Sequence, residues 1–466
     1  MDSAFLQVED GRSALHIASV GIFAGPAPST AEIVAALERR VHLVPRLRQR
    51  LLTVPFALGR PVWADDPDFV LADHVRRVAL PGPGDDAEFH EVVDQILTEH
   101  LDHDRPLWDD TVVEGLADGR WAVVTKVHHT MVDGIAGTDL LSTMLDSSAE
   151  PPVAEEPAPW SPERPPGPAR LVTDAVREQA RLRLAELRSV PDTVRAARHP
   201  GAVLADTVAT GRGLTGFARA IAPTSASSLA GPLGRDRTYR WTSVDLATVL
   251  EDHQQLGGTI NDLVLAAVTQ AFRELLQARG EQPDPHAVRC LVPVSVRRAA
   301  AVGTADNEVS ALLATLPVDL EEPLDRLTET SIRLRDLKAS HEADAGERVT
   351  GLADAIPPPL LTAFLHLAFR APHRNLTTVV TNVPGPSSTL FLAGRPLVAT
   401  YPYVPIADRL RIGVAITSYE GKLLLGVTAD RDSTPDLDVF MNGLDAGFAA
   451  LHELAAQHTR TGEGHR

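Results

Sequence analysis

The chain has a single cysteine, Cys290, among its 466 residues, which excludes an intrachain disulfide and fits a reducing compartment. Beside Leu291 and Val292, that thiol reads as a small core residue and not as a nucleophile. Positive charge is short as well. Lys and Arg number 44 against 62 Asp and Glu, a formal net charge of −18, so the surface repels polyanions and no nucleic-acid partner is expected. Long hydrophobic runs are missing too. The longest candidate, Leu360 to Phe369, falls well short of the roughly 18 apolar residues a spanning helix needs and lies between Pro359 and Pro372. The opening MDSAFLQVED has no basic stretch followed by an apolar one, so a cytoplasmic chain is expected. There is no HExxH and no cysteine pair, hence no expected metal site. Ser387 and Ser388 lack the GxSxG setting of an activated serine.

What is present suggests two mixed halves. A chain of this length exceeds one ordinary core, and 44% hydrophobic residues is the content of a globular protein. From Ala149 to Pro168 the run AEPPVAEEPAPWSPERPPGP cannot sustain a helix or a central strand and reads as a semi-rigid crossover. The expected division is a first α/β unit over 1–148, a connecting region over 149–236 and a second α/β unit over 237–466. Within the connection, Ala169 to Ala197 has helical periodicity, with Arg170, Arg177, Arg181, Arg188 and Arg195 on one side. That basic stripe is either a solvated face or a docking face for an anionic surface. Residues 200–236, rich in small and polar residues, are expected to be mobile.

The stretch that carries chemistry runs from Trp121 to Leu145, with HHTMVDG at His128 to Gly134. An apolar β-branched run ends at the histidines and a helical pattern starts at Ile135, so the pair lies at a strand-to-helix junction. Adjacent residues at a strand end point to opposite faces, so one histidine acts and the other supports. A neutral imidazole suits a general base at physiological pH. Gly134 lets the chain turn, and Asp133 is short enough to anchor that turn, with Arg297 as its candidate partner. Asn261 and Asp262 fall in the first turn of a confident helix, GGTINDLVLAAVTQAFRELLQARG, either as ordinary capping residues or near a developing oxyanion. Pro106, Leu107 and Trp108 read as a packing anchor ahead of direct substrate contact.

These stretches also carry a resemblance. HHTMVDG resembles the HHxxxDG signature of the CoA-dependent acyltransferase superfamily. PLWDD at Pro106 to Asp110, NDLVLA at Asn261 to Ala266, PVSVR at Pro293 to Arg297 and NVPGP at Asn382 to Pro386 narrow it, in this order, to the bacterial wax ester synthase/diacylglycerol acyltransferase family. Asp2, Phe5, Glu9 and His16 fit the same family's amino-terminal pattern, whereas Asp109 departs from the Glu that more often follows PLW.

The resemblance implies two chloramphenicol-acetyltransferase-like domains with the active site in a channel between them. It implies transfer of a long-chain acyl group from acyl-CoA, a substrate and not a cofactor, to diacylglycerol or a long-chain alcohol. His129 is then the base, with His128, Asp133 and Gly134 supporting it. Asn261 serves the oxyanion, and Asn382 and Pro384 belong to the substrate-binding or structural set. The helix at Pro357 to Phe369 is expected to line an acyl tunnel. Peripheral contact with a membrane or lipid droplet follows from such substrates. The alternatives are a condensation-like enzyme acting on another alcohol or amine, and a non-catalytic lipid-binding relative.

Overall fold

The computed structural model describes residues 9, 11–131, 137–150, 160–181, 227–295, 309–344 and 376–463. The first half runs β1 (His16–Phe23), α1 (Thr30–Val41), β2 (Gln49–Leu52), β3 (Val62–Asp65), β4 (Val75–Ala79), α2 (Asp86–Thr98), β5 (Trp108–Glu114), β6 (Trp121–His128) and α3 (Gly137–Met144). A helix over 168–181, α4, follows the proline-rich crossover. The second half runs β7 (Arg237–Asp245), α5 (Leu246–Leu256), α6 (Ile260–Ala278), β8 (Val288–Ser295), β9 (Val309–Leu316), α7 (Pro323–Asp344), β10 (Thr378–Val383), β11 (Phe391–Leu392), β12 (Arg395–Tyr403), β13 (Ile412–Tyr419), β14 (Lys422–Asp430) and α8 (Leu437–Glu463).

Local chemistry accounts for the helix starts. Ser29 caps α1, Asp85 caps α2 and Thr259 caps α6, each in a reciprocal box with the acidic residue three positions on. Ahead of β4 the chain makes a 3-10 turn at Leu71–His74.

Two six-stranded sheets organise the chain, in the orders β11-β12-β1-β6-β5-β4 and β7-β14-β13-β10-β8-β9. The sheets do not follow the order of the sequence strictly. The segment β11–β12 belongs by sequence to the second half but pairs antiparallel with β1 in the first sheet. Without it β1 would be an open edge beside the strand that carries the histidines. Three apolar clusters fill the layers. One lies in the second half around α6 and α8. The other two cover opposite faces of the first sheet, with Trp121, Val123 and Val127 on one side and Ala122 and Val124 on the other.

The halves are also joined by a capped sheet edge. β7 is the edge strand of the second sheet, and its backbone N–H groups at Arg237 and Tyr239 donate to Thr98 Oγ1 at 3.0 Å and Asp94 Oδ1 at 2.7 Å. The spacing explains the fit. Two residues along a strand and four along a helix both span about 6–7 Å, so one face of α2 meets alternate edge donors. Asp94 is buried, which pushes its carboxyl up to about 6 against the opposing pull of the Tyr239 N–H and Arg240. Close to this seam Tyr239 Oη donates to Pro402 O at 2.9 Å, and a Cβ at Gly426 would collide with that same carbonyl.

Replacing Asp94 by Ala leaves a buried strand N–H and Arg240 without their acceptor and is expected to cost about 1–3 kcal/mol. Denaturant unfolding checks this, and an unchanged midpoint would contradict the seam as drawn.

Candidate active site

β6 is held on both sides up to its last residue, pairing with β1 from His16↔His128 to Phe23↔Trp121 and with β5 from Trp108↔Val127. At its end the two histidine N–H groups part. His128 N donates to Leu107 O at 2.9 Å, and His129 N donates to Leu15 O at 3.0 Å. Alternation of the backbone sends the side chains to opposite faces before the 3-10 turn His129–Met131. His128 is fully buried, whereas His129 is half-buried.

The His128 ring is fixed at both nitrogens. Nδ1 accepts from the Thr130 backbone N–H at 3.2 Å and lies 2.8 Å from Thr130 Oγ1. A backbone N–H can only donate, so the proton sits on Nε2, which donates to Glu9 Oε2 at 3.2 Å. The same carboxylate oxygen takes His103 Nε2 at 3.0 Å, while Leu15 N donates to Glu9 Oε1 at 3.4 Å. Burial alone would raise the Glu9 carboxyl, but the two histidines outweigh it and hold it below the usual range. His103, hydrogen-bonded to Glu9, is raised in turn.

His16 faces His128 across the pairing and stacks on Tyr403 with ring centroids 5.6 Å apart. Burial and the nearby Lys126 push its pKa down to about 3, so it is neutral. Lys126, on the same face of β6, is driven down to about 8 by burial and donates to Glu99 O at 3.0 Å.

Glu9, His103 and His128 bring three ligand atoms within 4.8 Å of one another, a set with the donors a divalent cation takes. The hydrogen bonds do not fit that use. A metal needs the Nε2 lone pair of His128, and the proton would then move to Nδ1, where it would face the Thr130 N–H.

The PLW residues lie against this site as an anchor. Leu107 supplies the carbonyl that holds His128, and Trp108 is buried with its indole N–H on Leu47 O at 2.8 Å. His74 stacks on the indole at 4.6 Å and donates from Nδ1 to Trp108 O at 2.7 Å. Pro106 is buried beside them. Asp109 forms an ion pair with Arg76 at 3.5 Å and does not reach the histidines.

The remaining expected site residues are more dispersed. Asp262 acts as the capping partner of Thr259, taking its N–H at 2.8 Å, while Asn261 sits half-buried in the same first turn. Asn382 is the half-buried penultimate residue of β10, with Pro384 exposed just beyond the strand. Gly385 runs so close to β13 that a Cβ there would strike Ser418 O. No described hydrogen bond or ion pair joins Asn261, Asn382 or Pro384 to the histidines. Asp133, Gly134 and Arg297 lie outside the described residues, as do Pro357 to Phe369 and all of the 200–236 segment before residue 227. Cys290 is buried on β8, and burial pushes its thiol pKa up, which leaves it a core residue.

Sequence reasoning missed Glu9, His103 and Thr130 as partners of His128. Only the family pattern pointed to Glu9, and no spacing rule links it to a ring 119 positions away.

The Glu9–His103 pair has a defined pH window. The lowered Glu9 contributes above its ordinary 4.5 and is lost as pH falls through its folded value. The raised His103 contributes fully below its ordinary 6.5 and is lost as pH rises through its folded value. Wild type should therefore exceed a His103→Gln variant in stability most between roughly pH 4.5 and 6.5, with the gap closing at higher pH. Denaturation midpoints measured across that range check this, and a gap independent of pH would contradict it.

Residues 1–264 match the wax ester synthase/diacylglycerol acyltransferase catalytic domain, and residues 305–452 match the C-terminal domain of the same family. A probable diacylglycerol O-acyltransferase of Mycobacterium tuberculosis is 38% identical over 463 residues, spanning 99% of this chain and 96% of that protein. Among solved structures, the wax ester synthase/diacylglycerol acyltransferase from Marinobacter aquaeolei has a TM-score of 0.67 at 24% identity, with 98% of each chain covered. The first condensation domain of the calcium-dependent antibiotic synthetase has a TM-score of 0.55 at 18% identity, covering 98% of this chain and 95% of that one. Both likenesses bear on the fold alone, a two-domain α/β architecture. The chain belongs to the wax ester synthase/diacylglycerol acyltransferase family and is an acyltransferase.

Proposed function

We propose that the chain moves a long-chain acyl group from acyl-CoA to the hydroxyl of diacylglycerol or a long-chain alcohol, with His129 as general base. The observation that carries this reading is the parting of the two histidines at the end of β6. His128 is sealed among Glu9, His103 and Thr130, which leaves His129 as the half-buried imidazole on the other face.

In the proposed step His129 takes the hydroxyl proton as the oxygen attacks the thioester carbonyl. The tetrahedral oxyanion collapses by breaking the C–S bond, and the imidazolium returns the proton to the CoA thiolate. The balance closes on substrate, acceptor and one imidazole, so no cofactor is required. Asn261 or the free N–H groups at the start of α6 are the candidates for the oxyanion, with Asp262 kept busy in its cap. His128 and Asp133 position the turn, the latter with Arg297 as its candidate partner.

Water-insoluble acceptors must be met at a lipid surface, and among the described residues no helix is long and apolar enough to cross a membrane. Peripheral contact at a membrane or lipid droplet from the cytoplasmic side is part of the proposal.

The test is CoA release from palmitoyl-CoA given diacylglycerol, hexadecanol or neither, run beside a folded His129→Ala variant. Acceptor-dependent release, reduced by about 10²- to 10⁴-fold in the variant, is expected. Equal release by both proteins would remove His129 as base. Release that appears only with another alcohol or an amine would favour the condensation-like alternative, and none with any acceptor would favour a binding role.

A further inference from the structure

We propose that the hairpin of β2 and β3 is the surface by which this acyltransferase docks on an anionic phospholipid surface, with Phe56 as its inserted tip. The inference rests on the lipid-contact reading above and names the residues that would carry it. Between the strands the chain passes through Pro55–Ala57, where Phe56 adopts φ 58° and ψ 20° and stands 89% exposed. A bulky side chain at positive φ costs conformational energy, and an aromatic ring left in water forgoes burial. Among the described residues nothing offsets either cost at this position. Insertion of the ring into lipid would.

Neighbouring residues extend the apolar face. Val62 at the start of β3 is 40% exposed, and Val176 on α4 is 53% exposed. α4 lies against the loop, with Gln179 Nε2 donating to Leu58 O at 2.6 Å and a Cβ at Gly59 reaching Ala175 Cβ at 2.8 Å.

The charge here is opposite to that of the whole molecule. Residues 45–65 contain Arg46, Arg48, Arg50 and Arg60 against Asp65, in a chain of net charge −18, and although Arg50 lies 3.9 Å from Asp66 just beyond, Arg60 at the loop carries its charge outward. Arg60 is exposed and forms no ion pair among the described residues. Arg46 and Arg48 lie over the rings of Trp63 and Trp160 at 4.4 and 4.7 Å. Arginine with tryptophan beside an apolar tip suits the headgroup boundary of a lipid layer. The part of the basic stripe that lies on α4 is a weaker candidate, because Arg170, Arg177 and Arg181 pair with Asp174 and Glu178 of the same helix, while Arg188 and Arg195 lie outside the described residues.

The hairpin also leads inward. Leu47, and the partly buried Leu51 and Trp63, belong to the same apolar cluster as Val127 and Met131, which flank the His129 turn. A lipid layer at the tip would thus adjoin the apolar side of the sheet on which His129 lies.

Sedimentation with vesicles of phosphatidylcholine, with and without phosphatidylglycerol, tests the assignment on the full chain. Wild type is expected to bind the mixed vesicles. Phe56→Gly and Arg60→Glu should each weaken that binding by about tenfold or more. Glycine tolerates the positive φ, so Phe56→Gly should keep or raise the unfolding midpoint, which separates lost docking from lost folding. Wild-type protein that fails to sediment, equal binding without phosphatidylglycerol, or unchanged binding by Phe56→Gly would each overturn the proposal. Sedimentation needs no turnover, so vesicle binding without acyl transfer would count against the enzymatic reading alone. Acyl transfer without vesicle binding would count against this surface alone.

Discussion

Everything at the site depends on β6 staying paired on both sides to its final residue. Because β5 and β1 hold successive N–H groups, His128 and His129 cannot share a face, and their environments diverge within one peptide. The buried ring is costly unless both of its nitrogens are satisfied. Thr130 satisfies one from two residues away, and Glu9 satisfies the other from the far end of the chain. The His16↔His128 register brings the segment before β1 to this ring, and Leu15 donates its N–H to the Glu9 carboxylate. The site is thus built from three separate stretches joined by one strand end.

The same economy of edges explains the long-range architecture. β1 is flanked by β6 on one side and by β12, borrowed from the second half, on the other. The second sheet presents its β7 edge to α2, whose Asp94 and Thr98 take the outward N–H groups. Each half therefore closes an edge of the other, and the halves are coupled by backbone hydrogen bonds as well as by apolar packing.

Most elements were legible because they obey local rules. The Ser29–Glu32, Asp85–Glu88 and Thr259–Asp262 boxes mark helix starts in the sequence, and the β-branched run into His128 marks its strand. Trp108 is buried with its indole N–H on Leu47 O, since a buried Trp needs an acceptor. The β2–β3 hairpin escaped because RLRQRLL does not alternate cleanly and Pro55 and Pro61 interrupt its flanks. β9 was also missed: the apolar residues of VSALLATL do not alternate with polar ones, so its periodicity does not mark a strand. The exchange of β11–β12 into the first sheet is a pairing across nearly the whole chain, which no local periodicity encodes. For the same reason Glu9 and His103 could not be matched to His128 by spacing. The family resemblance supplied the chemistry that residue types alone left open between a base, a structural histidine and a metal ligand.

Direct transfer, as proposed, calls for no acyl-enzyme. Cys290 is buried in the second sheet, both ring nitrogens of His128 are engaged, and Ser387 and Ser388 are exposed in the loop after β10. The most direct measurement is intact-mass analysis of the protein quenched during turnover with acyl-CoA and acceptor. An unmodified chain mass throughout is the predicted result. An acyl adduct that forms and decays as fast as product appears would contradict the account.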